Sequence, residues 1–300
     1  AGDKRGEAVL MRGLLEVTTW SSPAGPGPAM TRMRTGASQL LDLFTMLDDP
    51  VGMADALATL AWSMTADGNG GAQALALAEH ALRTAADANY LGGQARAYHV
   101  MAIIHGEDDP QGALKVLEQA MKVAEALGNA HYTTTITQFL GAAKSFCGDI
   151  TGGRELLESS LGMARRLNYR YLETFSLLYL SKLFAAVGDE RARATAELTL
   201  AHSEDGNFGH YLADALSVLG QLNLAEGDLP AAVATLERSV RVWRTRGSIP
   251  YLARTLRALG DAHAAAGDHR TARAVWEEAR ELFRGISHEN GVRTLDSRLG

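Results

Sequence analysis

The segment LGDAHAAAGDHRTARAVWEEA, residues 259–279, contains the pattern on which the fold prediction rests. Its Gly-Asp dipeptide recurs along the chain at spacings of 39 or 40 residues, and in each copy a Leu followed by a small residue lies eight positions earlier. The four copies are Gly148-Asp149, Gly188-Asp189, Gly227-Asp228 and Gly267-Asp268. Self-similarity at a fixed period of this length predicts a protein built from structural repeats.

The periodicity continues upstream without the Gly-Asp dipeptide. Residues 113–120 align with residues 74–81 at a shift of 39. The sequence therefore predicts one domain over residues 1–300. It consists of a degenerate first repeat in 1–50, six regular repeats in 51–287 and a short capping helix in 288–300. A loop is predicted at 21–28, where three Pro and two Gly fall within eight residues.

Each repeat is predicted to contain two helices. Leu252, Leu256 and Leu259 share one helical face. Gly267 is expected to end the first helix in the left-handed conformation, and Asp268 to cap the second. Close approach of the two helices requires small residues. Gly141, Gly220 and Gly260 on first helices are therefore expected to face positions such as Ala232 and Ala272 on second helices.

Composition limits the fold class and the partners. Of the 300 residues 46% are hydrophobic and only 6% aromatic, which favours closely packed Ala-rich helices over a β-sandwich. The net charge of −6 and a pI of about 5.9 argue against direct contact of this chain with nucleic acid. No run of 18 apolar residues exists, so no membrane contact is predicted. The single cysteine, Cys147, is interpreted as a small core residue, with a redox or nucleophilic role as the alternative.

Motifs for catalysis and cofactor binding are missing from the sequence. It contains neither a phosphate-binding Gly-rich loop with Lys nor an H-E-x-x-H metal motif. The glycine-rich residues 68–71 are interpreted as a linker. His99 and His105 are six positions apart, so they lie on different faces of a helix. The sequence therefore predicts no enzyme activity, no catalytic residue, no metal and no cofactor.

Two further groups of residues have alternative interpretations. Tyrosines recur near the start of each first helix at spacings of 39 or 40, and they either pack between repeats or stack on a ligand. These are Tyr132, Tyr171, Tyr211 and Tyr251. Four arginines on one helix form either a solvated face or a docking surface for an acidic partner. These are Arg238, Arg241, Arg244 and Arg246.

The order Leu-Gly, Gly-Asp, Ala, bulky residue, Ala resembles the tetratricopeptide repeat over nearly the whole chain, although the unit is about 40 residues instead of 34. The resemblance implies an all-α, right-handed superhelical solenoid of about seven repeats, whose first helices line a concave groove. It further implies that a peptide, protein or small-molecule effector binds in that groove.

The resemblance places particular positions of each first helix in this groove. The candidate contacts are Tyr98, His105, Gln138, Lys182, Asp214, Gln221, Arg254 and Arg257. Lys182 lies in a long apolar run, so we expect its ammonium to face water and attract an anionic group. The alternatives are a structural ion pair of Lys182 with Asp214 or Glu173, and a groove that is simply wet and polar.

The final repeats look especially like the C-terminal region of large bacterial transcriptional regulators of the SARP type and related STAND ATPases. This likeness implies a cytoplasmic sensor module that follows DNA-binding and nucleotide-binding domains. The start at Ala1, without Met, indicates a fragment of a larger protein or a processed N-terminus. If Gly300 is the natural end, the SARP order is favoured over LuxR-type regulators, which carry a helix-turn-helix after the repeats. A generic peptide-binding scaffold is the alternative function.

Overall fold

The computed structural model describes residues 26–65, 71–106 and 109–300, with side chains from Thr31 onward. Within these ranges the chain forms fourteen α-helices and no β-strand. The helices are α1 (Pro26–Met46), α2 (Pro50–Thr65), α3 (Gly71–Asp87), α4 (Leu91–His105), α5 (Pro110–Leu127), α6 (Ala130–Phe146), α7 (Ile150–Arg166), α8 (Arg170–Val187), α9 (Arg191–Asp205), α10 (Gly209–Ala225), α11 (Leu229–Arg246), α12 (Ile249–Ala265), α13 (His269–Gly285) and α14 (Glu289–Leu299).

The helices from α2 to α13 form six consecutive pairs, which correspond to the six predicted regular repeats. α1 precedes the pairs and α14 follows them as the predicted cap. Two kinds of contact build each unit: helices adjacent in sequence pack together within α1 to α6 and within α8 to α14, and first helices of successive pairs also contact each other. The second kind joins α2 with α4 and α4 with α6, and likewise α8 with α10 and α10 with α12. The all-α repeat fold is confirmed.

The helices are grouped into two compact units. The first contains α1 to α6 and α7 as far as Met163, and the second runs from Ala164 to Gly300. In the second unit Trp243, Phe283 and Leu295 are fully buried in one hydrophobic cluster. The first unit has smaller clusters, including one around Leu117 and Ile136. Because no single helix pair can bury its apolar face alone, each unit depends on stacking.

The predicted turn inside each repeat is confirmed. Gly148, Gly188, Gly227 and Gly267 have φ values of 91°, 70°, 82° and 82°. Glycine adopts this left-handed conformation without the steric cost that a Cβ imposes. The Asp after each glycine then accepts a backbone N–H at the start of the second helix, as Asp268 does from Thr271 at 3.1 Å. The Gly-Asp dipeptide therefore ends one helix and caps the next.

A second periodic turn, between repeats, was missed from the sequence. One residue in each of these turns has positive φ, and the type varies among Asn, Gly, Asp and Ser. The residues are Asp48, Asn89, Gly128, Asn168, Asn207, Gly247 and Ser287. Asn and Asp tolerate the left-handed region better than other residues with a Cβ. Their spacing of 39 to 41 residues could have revealed the repeat independently of the Gly-Asp dipeptide.

The close approach of the paired helices differs from the prediction. A Cβ added to Gly220 would meet the side chain of Leu236, and one added to Gly260 would meet Trp276. The contact is therefore with the bulky residue four positions beyond Ala232 or Ala272. Missing side chains on the first helix create the space that a large side chain of the second helix fills.

Three local predictions also need correction or lie outside the described residues. The predicted loop 21–28 ends earlier, because α1 begins at Pro26. Proline suits a first helical turn, where its missing N–H has no partner to lose. Residues 21–25 and most of 68–71 lie outside the described ranges. Cys147 is partly exposed and is not a core residue. Burial of the thiol and the charge of Asp109 raise its pKa, which disfavours a reactive thiolate.

The capping helix α14 is held by apolar and polar contacts. Leu295 is fully buried in the core of the second unit. Arg298 donates to both carboxylate oxygens of Asp261 on α12, at 2.7 and 3.1 Å. Arg273 on α13 donates to the carbonyl oxygen of Leu299 at 3.0 Å. The last helix pair is therefore covered, as a terminal repeat requires.

Candidate functional site

Lys182 and Asp214 form an ion pair on the face that the first helices of the second unit share. Lys182 lies on α8 and Asp214 on α10, and these two helices pack together. The Lys182 Nζ is 2.9 Å from Asp214 Oδ2, and the two side chains are only 18% and 10% exposed. The same Nζ lies 4.9 Å from the centre of the Tyr179 ring. The expectation of a lone ammonium is wrong, because a carboxylate one repeat later neutralises it.

Gln221 and Arg254 continue this face on α10 and α12. Gln221 is exposed, and its amide donates to the carbonyl oxygen of Ser217 at 3.2 Å. Arg254 is partly buried, with its guanidinium carbon 5.5 Å from the centre of the Tyr251 ring. An arginine over an aromatic face is attracted by the ring quadrupole.

Arg257 lies one helical turn after Arg254 on α12. Its side chain is partly buried, and within the described residues its guanidinium has no hydrogen bond or ion pair. Burial lowers the pKa of Arg257, Asp261 opposes this effect, and Arg298 and Arg254 add to it. Arg257 is therefore a fixed cation in a place where other positive charges already gather.

Asp261, the carboxylate that acts on Arg257, is already engaged. Besides the two bonds from Arg298, its Oδ1 accepts the Trp276 indole N–H at 3.0 Å. The carboxylate therefore links α12 to both α13 and the capping helix α14. The sequence contains no signal that α14 engages this carboxylate.

The predicted positions in the first unit differ among themselves. Gln138 on α6 is only 1% exposed, so the expectation that it adds a polar group to an open groove is wrong. Tyr98 is partly buried against two hydrophobic clusters. His105 Nδ1 lies 2.8 Å from Oδ2 of Asp109. The Gly112 N–H lowers the pKa of Asp109, as does its hydrogen bond to His105. His105 is therefore tied to the cap of α5.

An ion pair in the first unit was missed from the sequence. Asp55 on α2 is 2% exposed, and Arg96 Nε lies 3.5 Å from its Oδ1. The Tyr90 hydroxyl lies 3.4 Å from both carboxylate oxygens. Asp55 occupies the repeat position of Asp214, so an Asp inside an otherwise apolar first helix was an available signal.

The comparisons with known proteins agree with this geometry. Residues 211–285 match the sequence family described as Tetratricopeptide repeat. Residues 211–285 therefore contain tetratricopeptide repeats. No curated protein matches this chain in sequence.

Solved structures align with most of the chain. RapI in its apo form aligns with a TM-score of 0.67 at 12% identity, over 94% of this chain and 99% of that one. A Signal Transduction ATPase with Numerous Domains (STAND) protein with a tetratricopeptide repeat sensor, from Pyrococcus horikoshii, aligns with a TM-score of 0.58 at 12% identity. The alignment covers 88% of this chain and 42% of that one. The apo form of the quorum sensor NprR from B. thuringiensis aligns with a TM-score of 0.58 at 12% identity, over 88% of this chain and 76% of that one. At these identities the likeness shows the fold.

The recurring tyrosines of the tetratricopeptide repeats pack with neighbouring rings in the second unit. Tyr211 is 4% exposed, and its ring centre lies 5.0 Å from that of Tyr171. Burial raises the pKa of Tyr211 well above its ordinary value. Tyr251 stacks on Trp243, with ring centres 4.9 Å apart and planes 13° apart. These contacts support the packing interpretation, although Tyr171 keeps 41% of its surface exposed.

Two of the four arginines of α11 bridge to neighbouring helix pairs. Arg238 lies 2.6 Å from Glu204 on α9, and Arg244 lies 2.7 Å from Glu278 on α13. All four side chains are more than 40% exposed, so each pair contributes little stability by itself. The solvated-face interpretation is favoured for Arg238, Arg241 and Arg244, which are exposed, whereas Arg246 is half-buried.

The described residues also limit other chemistry. No three His, Cys, Asp or Glu side chains in ranges 26–65, 71–106 and 109–300 group as metal ligands would. Among the same residues, every helix is too short or too polar to cross a bilayer.

Proposed function

We propose that this chain is the non-enzymatic sensor module of a transcriptional regulator. It binds a peptide, a protein partner or a small anionic ligand on the face formed by its first helices, and it controls DNA-binding and nucleotide-binding domains of the same regulator. The binding contacts that we propose in the second unit are Lys182, Asp214, Gln221, Arg254 and Arg257. In the first unit, taken by itself, we propose Tyr98 and His105.

The observation that carries the proposal is the polar row along α8, α10 and α12. Three consecutive first helices contribute to it: the Lys182–Asp214 ion pair joins α8 and α10, α10 also carries the exposed amide of Gln221, and α12 carries Arg254 and Arg257. A few polar groups on an otherwise apolar wall are what a ligand-binding surface needs, because they fix the orientation of the ligand. Proteins of the same fold include a quorum sensor and the sensor region of a STAND ATPase, which supports a sensing role.

A peptide-display selection against the 300-residue chain tests the binding face. Gln221 is exposed in the middle of this row. We therefore expect Gln221→Trp to weaken the binding of the selected peptides at least about tenfold, because the indole would occupy the space that the peptide takes. Glu237→Trp places the same side chain on the exposed surface of α11 and serves as the matched control. Equal binding to both variants would contradict the assignment of this face.

The genomic sequence upstream of Ala1 tests the regulatory part. We expect the reading frame to continue into a nucleotide-binding and a DNA-binding domain. A frame without them would favour the alternative, a tetratricopeptide scaffold for protein–protein interaction that is not linked to transcription.

A further inference from the structure

Three large apolar side chains are exposed at the start of the second unit. Leu167, Tyr169 and Tyr171 lie where the chain turns from α7 into α8, and each is at least 36% exposed. Only five other large apolar side chains of the described residues are as exposed, and they are spread over the range 46–198. Single exposed apolar side chains are ordinary, whereas a group of them marks a site of interaction.

Phe208, just before α10, extends this group of exposed rings. Its ring centre lies 5.4 Å from that of Tyr171, with the planes at 87°, and the side chain is partly exposed. The buried Tyr211 contacts both rings, at 5.0 Å from Tyr171 and 6.2 Å from Phe208 between centres. The two outer rings are therefore held by a buried one, and a ring that is already fixed loses little conformational entropy when a partner binds.

Arg246, the last residue of α11, lies beside Phe208. A Cβ added to Gly209 would be 2.6 Å from Arg246 Nη1, so the guanidinium rests against the backbone at the start of α10. The side chain is partly buried, and among the described residues it has no hydrogen bond or ion pair. Partial loss of hydration without a compensating partner costs free energy.

The preceding repeat shows which group Arg246 lacks. There Arg170, the first residue of α8, pairs with Asp205, the last residue of α9, at 2.9 Å. The same two positions of the next repeat are occupied by Gly209 and Arg246. Because glycine has no carboxylate to offer, this repeat keeps the cation of an ion pair without its anion.

These residues define an aromatic–arginine surface, which consists of Tyr169, Tyr171, Phe208 and Arg246. We propose that it is a docking surface for a protein segment that places an acidic side chain on Arg246 and an apolar side chain on the rings. Tyrosine and arginine are the residue types that dominate binding energy at protein–protein interfaces. The surface goes beyond the proposed function, because Lys182 of the polar row lies about three helical turns from Tyr171 along α8.

The charges around the aromatic–arginine surface favour a protein segment over single-stranded nucleic acid. Nucleic acid is bound by a row of cations that follows its phosphates. The other arginines at the start of α8 are already paired, Arg165 with Glu173 and Arg170 with Asp205, both at 2.9 Å. One carboxylate therefore neutralises Arg246, and apolar side chains cover the remaining rings.

A selection from a random-peptide display library, followed by fluorescence anisotropy of the labelled peptides, tests the surface on the full 300-residue chain. We expect a class of peptides that has an acidic residue next to an apolar one and binds Arg246→Gln at least about tenfold more weakly. Arg270→Gln removes the same charge from an exposed position on α13 and should change their affinity less than about twofold. Equal losses in the two variants would reduce the effect to net charge and overturn the proposal.

Tyr169→Ser tests the aromatic part of the surface. It should weaken the same peptides at least about tenfold, because the apolar side chain of the peptide loses its contact. Leu198→Ser removes an apolar side chain of similar exposure from α9 and should change their affinity less than about twofold. A selection without any peptide that is sensitive to both Arg246→Gln and Tyr169→Ser would overturn the proposal.

A charge reversal shows whether Arg246 contacts the peptide directly. Arg246→Glu should lose the acidic peptides and bind their counterparts in which lysine replaces the acidic residue. Because Arg246 has no ion pair to lose among the described residues, neither variant should lower the melting temperature. A folded Arg246→Glu chain that binds neither peptide, or a lower melting temperature of Arg246→Gln with unchanged binding, would contradict direct pairing.

Two controls separate this surface from other kinds of binding. Gln221→Trp, on the polar row, should leave the affinity of these peptides unchanged. Peptides that Gln221→Trp blocks and Arg246→Gln binds normally would support the proposed function alone. Fluorescein-labelled oligothymidylate that binds the unmodified chain, and that Arg246→Gln and Tyr169→Ser both release, would assign the surface to nucleic acid and overturn the proposal.

Discussion

The buried ion pair of Lys182 and Asp214 affects the free energy of unfolding mainly when one of the two partners is removed. Each side chain is largely buried, and the two atoms are 2.9 Å apart. Desolvation of two charges nearly cancels their attraction, so the pair adds little net stability over an apolar pair. Removing one partner, in contrast, leaves a buried charge without compensation. The pair therefore specifies how α8 meets α10 more than it strengthens the contact.

Lys182→Met should destabilise the chain by on the order of 3 kcal/mol, because Asp214 loses its only ion-pair partner on α8. The double variant Lys182→Met with Asp214→Leu should recover most of that loss. Urea unfolding of the two single variants and the double variant measures the coupling. Additive losses in the double variant would show that the two side chains do not interact.

His99 makes the stability of the first unit depend on pH. Burial, with the charges of His131 and Arg96, lowers its pKa from 6.5 to about 4. The folded state therefore keeps His99 neutral while the unfolded state binds a proton below pH 6.5. This contribution is fully present above pH 6.5 and is lost as pH falls toward 4.

Between pH 7 and pH 4.5 this proton uptake should reduce the free energy of unfolding by on the order of 2 kcal/mol. His99→Gln should remove that part of the pH dependence, whereas His80→Gln, on an exposed surface of α3, should not. Chemical unfolding at both pH values provides the comparison. An unchanged pH profile in His99→Gln would contradict the buried, neutral state.

At the scale of elements, the distance between the two helices of a repeat is set by glycine opposite a bulky side chain. Gly141, Gly220 and Gly260 lie against Leu157, Leu236 and Trp276. The indole N–H of Trp276 also donates to Asp261 on the first helix, so the ring is fixed in orientation. Little room remains for adjustment, because interiors are packed at crystal density.

Gly260→Ala should destabilise the chain by roughly 1–3 kcal/mol, since its methyl group would overlap the Trp276 ring. Gly285→Ala is the matched control, because a Cβ there would have no neighbour within 4 Å. That control should be neutral or slightly stabilising, as alanine favours a helix over glycine. Urea unfolding checks both, and a neutral Gly260→Ala would contradict the observed register of α12 on α13.

At the scale of the whole molecule, a chain of stacked repeats has contacts mainly between residues that are close in sequence. In α1 to α6 and in α8 to α14 each helix contacts its neighbours along the chain, and first helices of one unit contact each other. The stability of such a protein is approximately a sum of repeat and nearest-neighbour contributions. Damage at one place should therefore spread only to adjacent repeats.

Trp243→Ala should loosen the second unit locally, because this fully buried ring packs on α12 residues of the same core. A loss of about 3–5 kcal/mol is typical for such a truncation. Hydrogen exchange should then accelerate in α10 to α13 and stay unchanged in α2 to α4. Uniform acceleration over all helices would show that the chain unfolds as one cooperative block.

The sequence by itself determined the local structure of this protein. Gly267 with Asp268, and their three counterparts, specify where helices end and begin, because conformational freedom and capping are properties of single residues. The number of repeats, the all-α class and the cap followed from that period. The turn between repeats recurs just as regularly, but its positive-φ residue varies in type, as Asn168 and Gly247 show, so its period is not visible as a repeated residue.

Only the tertiary structure decided which polar side chains are available to a ligand. Lys182 and Arg257 lie on the first helices α8 and α12. Asp214, 32 residues after Lys182, neutralises it, whereas Arg298, 37 residues after Asp261, pairs with the Asp261 carboxylate on the helix of Arg257. Whether a buried charge is paired depends on residues of other helices, and helical periodicity carries no information about those distances.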